Sequence, residues 1–276
     1  MPTLVAPTIP IRSAEELVAR IRSGGRALVA MSGGVDSSLV AALAHSALAD
    51  GVVAVTLAGP AVSRDERSRA EHVAASIGVS HVILEANPLS VAGYRQNGAD
   101  RCYFCRAVET SALREFGATR SVAQYLDGIH RDDLGEDRPG IRAMDEAGFL
   151  HPLVWSGWGK AEVRVEARRR GLPNWDQPSD ACLASRVAHG DPVTVELLAK
   201  VESAEALVAA RGFRRVRVRV RAGTARVEVD PSDVPRLLSE PLASEVTAEV
   251  GRLGFTSVTI DRRGYHGVLP ASPAVP

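Results

Sequence analysis

Lysine is almost missing from this 276-residue chain: of 33 basic residues only Lys160 and Lys200 are lysine, the others being arginine. Such a bias reads first as genomic base composition. Cysteine is sparse too, with Cys102, Cys105 and Cys182 the full set. So few thiols, odd in number, argue against a disulfide framework, so their use is chemical or incidental. An excess of one charge is also absent, because 33 acidic residues balance the basic ones. Dedicated nucleic-acid binders show a basic excess or patch, so nucleic acid is not an expected partner. No apolar run reaches the ~18 residues of a membrane span. The start, MPTLVAPTIPIRS, lacks a basic segment followed by an apolar core, which makes the cytoplasm the expected location.

What is present is ordinary globular material, 45% hydrophobic and 24% charged, enough for one large or two modest domains. The front half alternates short apolar runs with helical patterns. RALVAM, VVAVTLAG, HVILEAN and SVAQYLDG read as strands; SSLVAALAHSALAD, SRDERSRAEHVAASIG and CYFCRAVETSALREFG read as helices. Short strands spaced by helices predict βαβ units, an α/β fold with an open, doubly wound parallel sheet. RPGIRAMDEAG and KAEVRVEARRRG add helices around a short HPLV segment, and GLPNWDQPSDACLASR is broken by Pro173 and Pro178. Beyond about residue 190 the texture changes to a long helix, a hairpin around Ala222-Gly223, another helix and the strand TSVTIDR. The expected division is a larger domain over 1–188 and a smaller α+β domain over 189–276.

The stretch between the first strand and its helix is SGGVDSS. Gly33 and Gly34 allow a tight turn and close approach to an anion, and Ser37 and Ser38 sit where free N–H groups and the positive helix end would face it. Their hydroxyls are expected to add donors. The loop has neither the lysine of GxxxxGK[ST], which holds a transferable γ-phosphate, nor the GxGxxG of a dinucleotide site. It resembles the pyrophosphate loop of the ATP pyrophosphatase superfamily, which cleaves ATP between the α- and β-phosphates. The resemblance implies ATP and Mg²⁺, with Ala30, Ser32, Gly33, Gly34, Asp36, Ser37, Ser38, Leu57 and Asp127 as ATP-binding positions.

Cys102 and Cys105 form a CxxC at a helix start, flanked by Arg101 and Arg106, a setting that favours thiolate. Cys182 lies in an irregular segment. A redox dithiol, a structural zinc site completed by His151 or His189, and incidental burial are open readings beside active-site sulfur chemistry. In that last reading three thiolates hold a [4Fe–4S] cluster with one open iron, or Cys182 itself reacts.

Taken together, SGGVDSS, DRCYFC, DGIHRDD followed by RPG, GWGKAEVR, WDQPSDACLASR, RVRVR, ARVEV and VTIDRRGY resemble the LarE family of ATP-dependent sulfur transferases, in family order from residue 28 to about 265. The resemblance implies adenylation of a pyridinium dicarboxylate mononucleotide and replacement of AMP by sulfur, building the nickel-pincer cofactor of lactate racemase. It implies catalytic roles for Cys182, Asp36 and Lys160, with Asp36 also placing Mg²⁺. Sulfur would come from a cluster on Cys102, Cys105 and Cys182, which the count of three favours, or sacrificially from Cys182. Arg186, Arg217, Arg219 and Glu228 are expected to bind substrate, although an arginine ladder such as 217 and 219 also reads as a salt-bridged face. Asp132, Asp133 and Arg138 stand on a loop after a strand, with capping as their plain alternative. Family members tend to form homo-oligomers. A tRNA thiolase, an ammonia-using ligase of the same superfamily and a nucleotide-binding sensor are the competing functions. The chain departs from the usual pattern at His130 (asparagine), His151 (serine), Gly159 (often threonine) and in its last segment, GYHGVLP.

Overall fold

The structure is a computed structural model that describes residues 13–135, 138–178 and 180–266. The chain divides into two compact units, residues 1–88 with 100–180 and residues 89–99 with 181–276.

In the first unit α1 (Ala14–Ser23) leads into β1 (Ala27–Ala30), followed by α2 (Val35–Leu48), β2 (Val52–Ala58), α3 (Arg64–Ile77) and β3 (Ser80–Glu85). After α5 (Arg101–Ala118) come β4 (Gln124–Leu126), α6 (Pro139–Glu146), α7 (Pro152–Trp155) and α8 (Lys160–Arg169). Local chemistry sets several boundaries. Ser63 and Glu66 form a capping box at the start of α3, Gly78 ends it in the left-handed region, and Pro139 opens α6.

The four strands are parallel in the order β3-β2-β1-β4. Successive β1 residues face opposite ways: Ala27 and Val29 pack under α1, α2, α3, α7 and α8, while Leu28 joins Val55, Leu113, Met144 and Phe149 beneath α5 and α6. Period-two alternation thus feeds two helical layers, the doubly wound α/β sheet expected from the sequence. The chain steps outward from β1 to β2 and β3, then returns to the other side of β1 as β4. The crevice between β1 and β4 is therefore the switch point, where parallel sheets bind ligands.

The second unit holds α4 (Ala92–Arg95), α9 (Val195–Ala209), β5 (Val216–Arg221), β6 (Thr224–Val229), α10 (Val234–Leu237), α11 (Leu242–Gly251) and β7 (Ser257–Ile260). Its sheet runs β5-β6-β7, with an antiparallel first pair and a parallel second one. Val216, Val218, Ala225, Val227 and Val229 face a core shared with α9 and α11. The odd-numbered arginines of β5 face away from it. Among the described residues no helix is long and apolar enough to cross a membrane.

The hairpin turns at Ala222-Gly223, both with positive φ (46° and 79°). Such a turn favours Asn-Gly, and alanine resists the left-handed region. Ala222→Asn is expected to stabilise the protein by about 0.5–1 kcal/mol, read as a higher midpoint in urea unfolding; an unchanged or lower midpoint would show the turn unstrained.

Candidate active site

The loop Met31–Gly34 joins β1 to α2 at the switch point. Gly33 has φ +78°, and a Cβ there would lie 2.9 Å from the Ala70 nitrogen of α3. On the other side of the crevice Gly128, just past β4, is equally tight: a Cβ would come 2.5 Å from the Ser37 nitrogen. Only glycine lets the two strand ends and α3 close on the first turn of α2. Gly34 is the N-cap and makes no side-chain cap, so the first N–H groups of α2 carry the positive helix end with no side chain spent on them.

The serine hydroxyls are used differently from expectation. Ser37 Oγ accepts from Ser32 N at 3.1 Å and donates to Gly34 O at 3.2 Å, so it braces the loop. Ser38 is fully buried, and its Oγ accepts from Asn174 Nδ2 at 3.0 Å. The same Nδ2 donates to Gly33 O at 2.9 Å. Asn174 therefore holds both ends of the loop while its own Oδ1 is buried with no partner among the described residues. The sequence reading missed it, because an asparagine beside Pro173 reads as a turn residue.

Ala30 and Leu57 stand near the carboxyl ends of the adjacent strands β1 and β2, both half-buried. Asp36, in the first turn of α2, receives Lys160 Nζ at 2.9 and 2.6 Å, with His130 Nε2 at 3.8 Å from Oδ1. Lys160 begins α8, and its N–H donates to Asp132 Oδ2 at 2.8 Å. The position of a Gly159 Cβ is already taken by the Asp132 carboxylate and the Arg131 guanidinium. Asp133 accepts from His130 N at 3.1 Å and from Arg138 Nη1 at 2.5 Å, which is capping and loop chemistry.

Asp127 ends β4. Its Oδ1 accepts from Ile129 N at 3.0 Å and faces His151 Nδ1 at 2.8 Å; His151 Nε2 lies 2.7 Å from Asp145 Oδ1. With both ring nitrogens engaged, His151 has none free for zinc. Burial pushes its pKa down, but the hydrogen bonds and charges of Asp127 and Asp145 outweigh burial and lift it to about 9.

Cys102 and Cys105 lie three residues apart on α5, one turn along a shared face. Cys102 is exposed and packs near Gly140 of α6; Cys105 is half-buried, its Sγ 3.4 Å from Glu109 Oε1. Two thiols so placed suit two ligand positions. Among the described residues no three His, Cys, Asp or Glu side chains are grouped so as to hold a metal ion. Cys102 and Cys105 belong to the first unit and Cys182 to the second.

In the second unit Cys182 is half-buried at the start of the short turn Leu183–Arg186. Arg186 Nη1 donates to the Cys182 carbonyl at 3.0 Å, and its Nε and Nη2 bind Glu205 at 2.9 and 3.2 Å. On the outer face of the sheet Arg217 stands opposite Glu228 in register, and Arg219 Nε binds both Glu228 oxygens at 3.0 and 2.9 Å. Arg226 Nη2 reaches the same carboxylate at 2.8 Å. The guanidinium carbons of Arg217 and Arg219 lie 5.7 and 6.0 Å from the Tyr265 ring centre. The ladder is therefore salt-bridged around a buried glutamate.

Comparison with known proteins fits this geometry. The Asparagine synthase family model matches residues 14–102, the segment carrying the loop. An uncharacterised protein of Synechocystis is 36% identical over 87% of this chain and 90% of its own. The pyridinium-3,5-bisthiocarboxylic acid mononucleotide synthase of Lactiplantibacillus plantarum is 31% identical over 90% of both chains. The chain belongs to the LarE family. As a LarE-family member it is an ATP-dependent sulfur transferase with a pyrophosphate loop of the PP-loop type. A glutamine-hydrolysing GMP synthase of Corynebacterium efficiens, 30% identical over 58% of this chain and 30% of its own, shares part of the length.

The raised His151 pKa makes stability depend on pH. The folded value, about 9, lies above the ordinary 6.5. The stabilisation is complete below about pH 6.5, on the order of 3 kcal/mol, and is lost as pH rises through about 9. The melting-temperature gap between wild type and His151→Ser should therefore be widest near pH 6 and narrow as pH rises to about 10. A gap that widens with pH would refute the charged-imidazole assignment.

Proposed function

We propose that this protein adenylates a carboxylate of a pyridinium-3,5-dicarboxylate mononucleotide, releases pyrophosphate, and replaces AMP with sulfur to leave a thiocarboxylate. The product serves the nickel-pincer cofactor of lactate racemase. The observation that carries the reading is the lysine-free SGGVDSS loop at the switch point, with the Asp36–Lys160 pair beside it.

A carboxylate resists nucleophiles because it is anionic and its oxygen leaves poorly. The loop N–H groups and the positive end of α2 bind the β- and γ-phosphates of ATP. Asp36 suits a magnesium ion, which takes one or two carboxylates together with phosphate oxygens and, when bound, draws charge from them. Lys160 Nζ, held against the loop by Asp36, neutralises charge on the departing pyrophosphate. A substrate carboxylate oxygen attacks the α-phosphorus, the bond to the β-phosphate oxygen breaks, and an acyl adenylate forms. A sulfur nucleophile then attacks its carbonyl carbon and AMP leaves. Arg217 and Arg219 present guanidinium forks to the substrate phosphate and carboxylates, steadied by Glu228, while Arg186 holds the Cys182 segment.

Two sulfur sources each have support. The count of three cysteines favours a cluster on Cys102, Cys105 and Cys182. The seat of Cys182 favours the thiol itself: Sγ bonds to the carbonyl carbon, the Cys182 Cα proton is lost, and the Cβ–S bond breaks to give dehydroalanine. Anaerobic purification, iron analysis and intact mass across one turnover separate them. Full iron with unchanged polypeptide mass selects the cluster; loss of one H₂S equivalent from iron-free protein selects Cys182. Absence of substrate-dependent pyrophosphate release overturns the adenylation itself. Lys160→Ala should lower the rate of that release roughly 100-fold, with partial recovery in Lys160→Arg; wild-type rates would remove lysine from the mechanism.

A further inference from the structure

Past the carboxyl end of β4 three side chains form a hydrogen-bonded line from the interior toward solvent. Asp127 and His151 are buried, with 6% and 4% of their side chains exposed, whereas Asp145 is 36% exposed. Carboxylates only accept, so His151 donates from both nitrogens as an imidazolium. Two carboxylates against one cation leave a net negative charge.

The arrangement is set by the backbone. Leu150 bridges Leu126 in parallel, with Leu150 N donating to Tyr125 O at 2.8 Å and Asp127 N to Leu150 O at 3.2 Å. His151 is thereby laid beside Asp127, and Pro152 starts α7 immediately after it. The ring has little freedom to leave.

The two oxygens of Asp127 are treated unequally. Oδ1 serves both His151 and the Ile129 N–H, while Oδ2 is buried with no hydrogen-bond partner among the described residues. A buried carboxylate oxygen without a protein donor is costly, and a merely structural ion pair gains nothing by leaving one. Asp127 precedes Gly128, whose backbone lies against the first turn of α2. Phosphate cannot serve this oxygen, since both are acceptors and both are anionic. A donor on the uncharged part of the nucleotide suits it.

We infer that His151 is a positioning residue of the nucleotide site, clamping Asp127 so that its Oδ2 accepts a hydrogen bond from a ribose hydroxyl or the adenine amino group. The inference rests on the ATP-site reading but on neither the acceptor substrate nor the sulfur source.

Equilibrium binding tests it without turnover, using α,β-methylene-ATP and its 2′-deoxy, 3′-deoxy and inosine counterparts. Wild type is expected to bind one of the three altered nucleotides about tenfold more weakly than the parent, which identifies the donor. His151→Ser and Asp127→Asn should weaken the parent about tenfold and bring that ratio close to one. Asp145→Asn, which keeps the imidazole and tests the clamp if His151→Ser fails to fold, should reduce the ratio in part. A purely structural histidine would change melting temperature and leave the ratio intact, and that result overturns the inference. So does equal wild-type binding of all four nucleotides. Failure of wild type to bind any of them would instead sink the ATP reading itself.

Discussion

A side chain at residue 33 or 128 would strike backbone, at 33 the amide of Ala70 and at 128 that of Ser37. Because neither residue has one, β1, β4 and α3 can all reach the first turn of α2. The rest of the first unit follows from that closeness. The turn can present bare N–H groups at the switch point because Ser37, Ser38 and Asn174 hold the loop from behind. A loop pinned in this way binds an anion with little left to organise, and preorganisation is where electrostatic catalysis gains most.

Charge around the loop is arranged in two ways. Asp36 and Lys160 form a partly exposed pair, so both can exchange partners. Asp127 and His151 form a buried pair that cannot rearrange cheaply. The first suits groups whose partners change during a reaction, the second a group that must stay still. In the second unit the same division appears on the sheet: Glu228 is buried beneath Arg219 and Arg226, while Arg217 and Arg219 stay partly open beside Tyr265.

Much of this was legible in the sequence because it is local. The parallel sheet follows from apolar runs of strand length, the phosphate loop from seven consecutive residues, and the hairpin from Ala222-Gly223. Other features were legible only as residue types. The sequence reading expected the loop serines to add donors; Ser37 instead donates to Gly34, while Ser38 accepts from Asn174. His151 stood out as a departure from its relatives and as a zinc ligand to be weighed. Its place between two aspartates depends on the bridge of residue 150 to β4, a pairing that no local pattern encodes.

The sequence by itself determined the backbone freedom at Gly33 and Gly34, the absence of a γ-phosphate lysine, and the supply of three thiols. Glycine, missing side chains and sulfur are properties of single positions. Tertiary structure alone decided that Lys160 meets Asp36, 124 residues away, and that Asn174 reaches back 141 residues to Gly33. It also left one buried oxygen of Asp127 with no partner among the described residues. Contacts across such separations are fixed by sheet order and helix packing, which sum many weak local preferences into one arrangement that no single stretch of the chain contains.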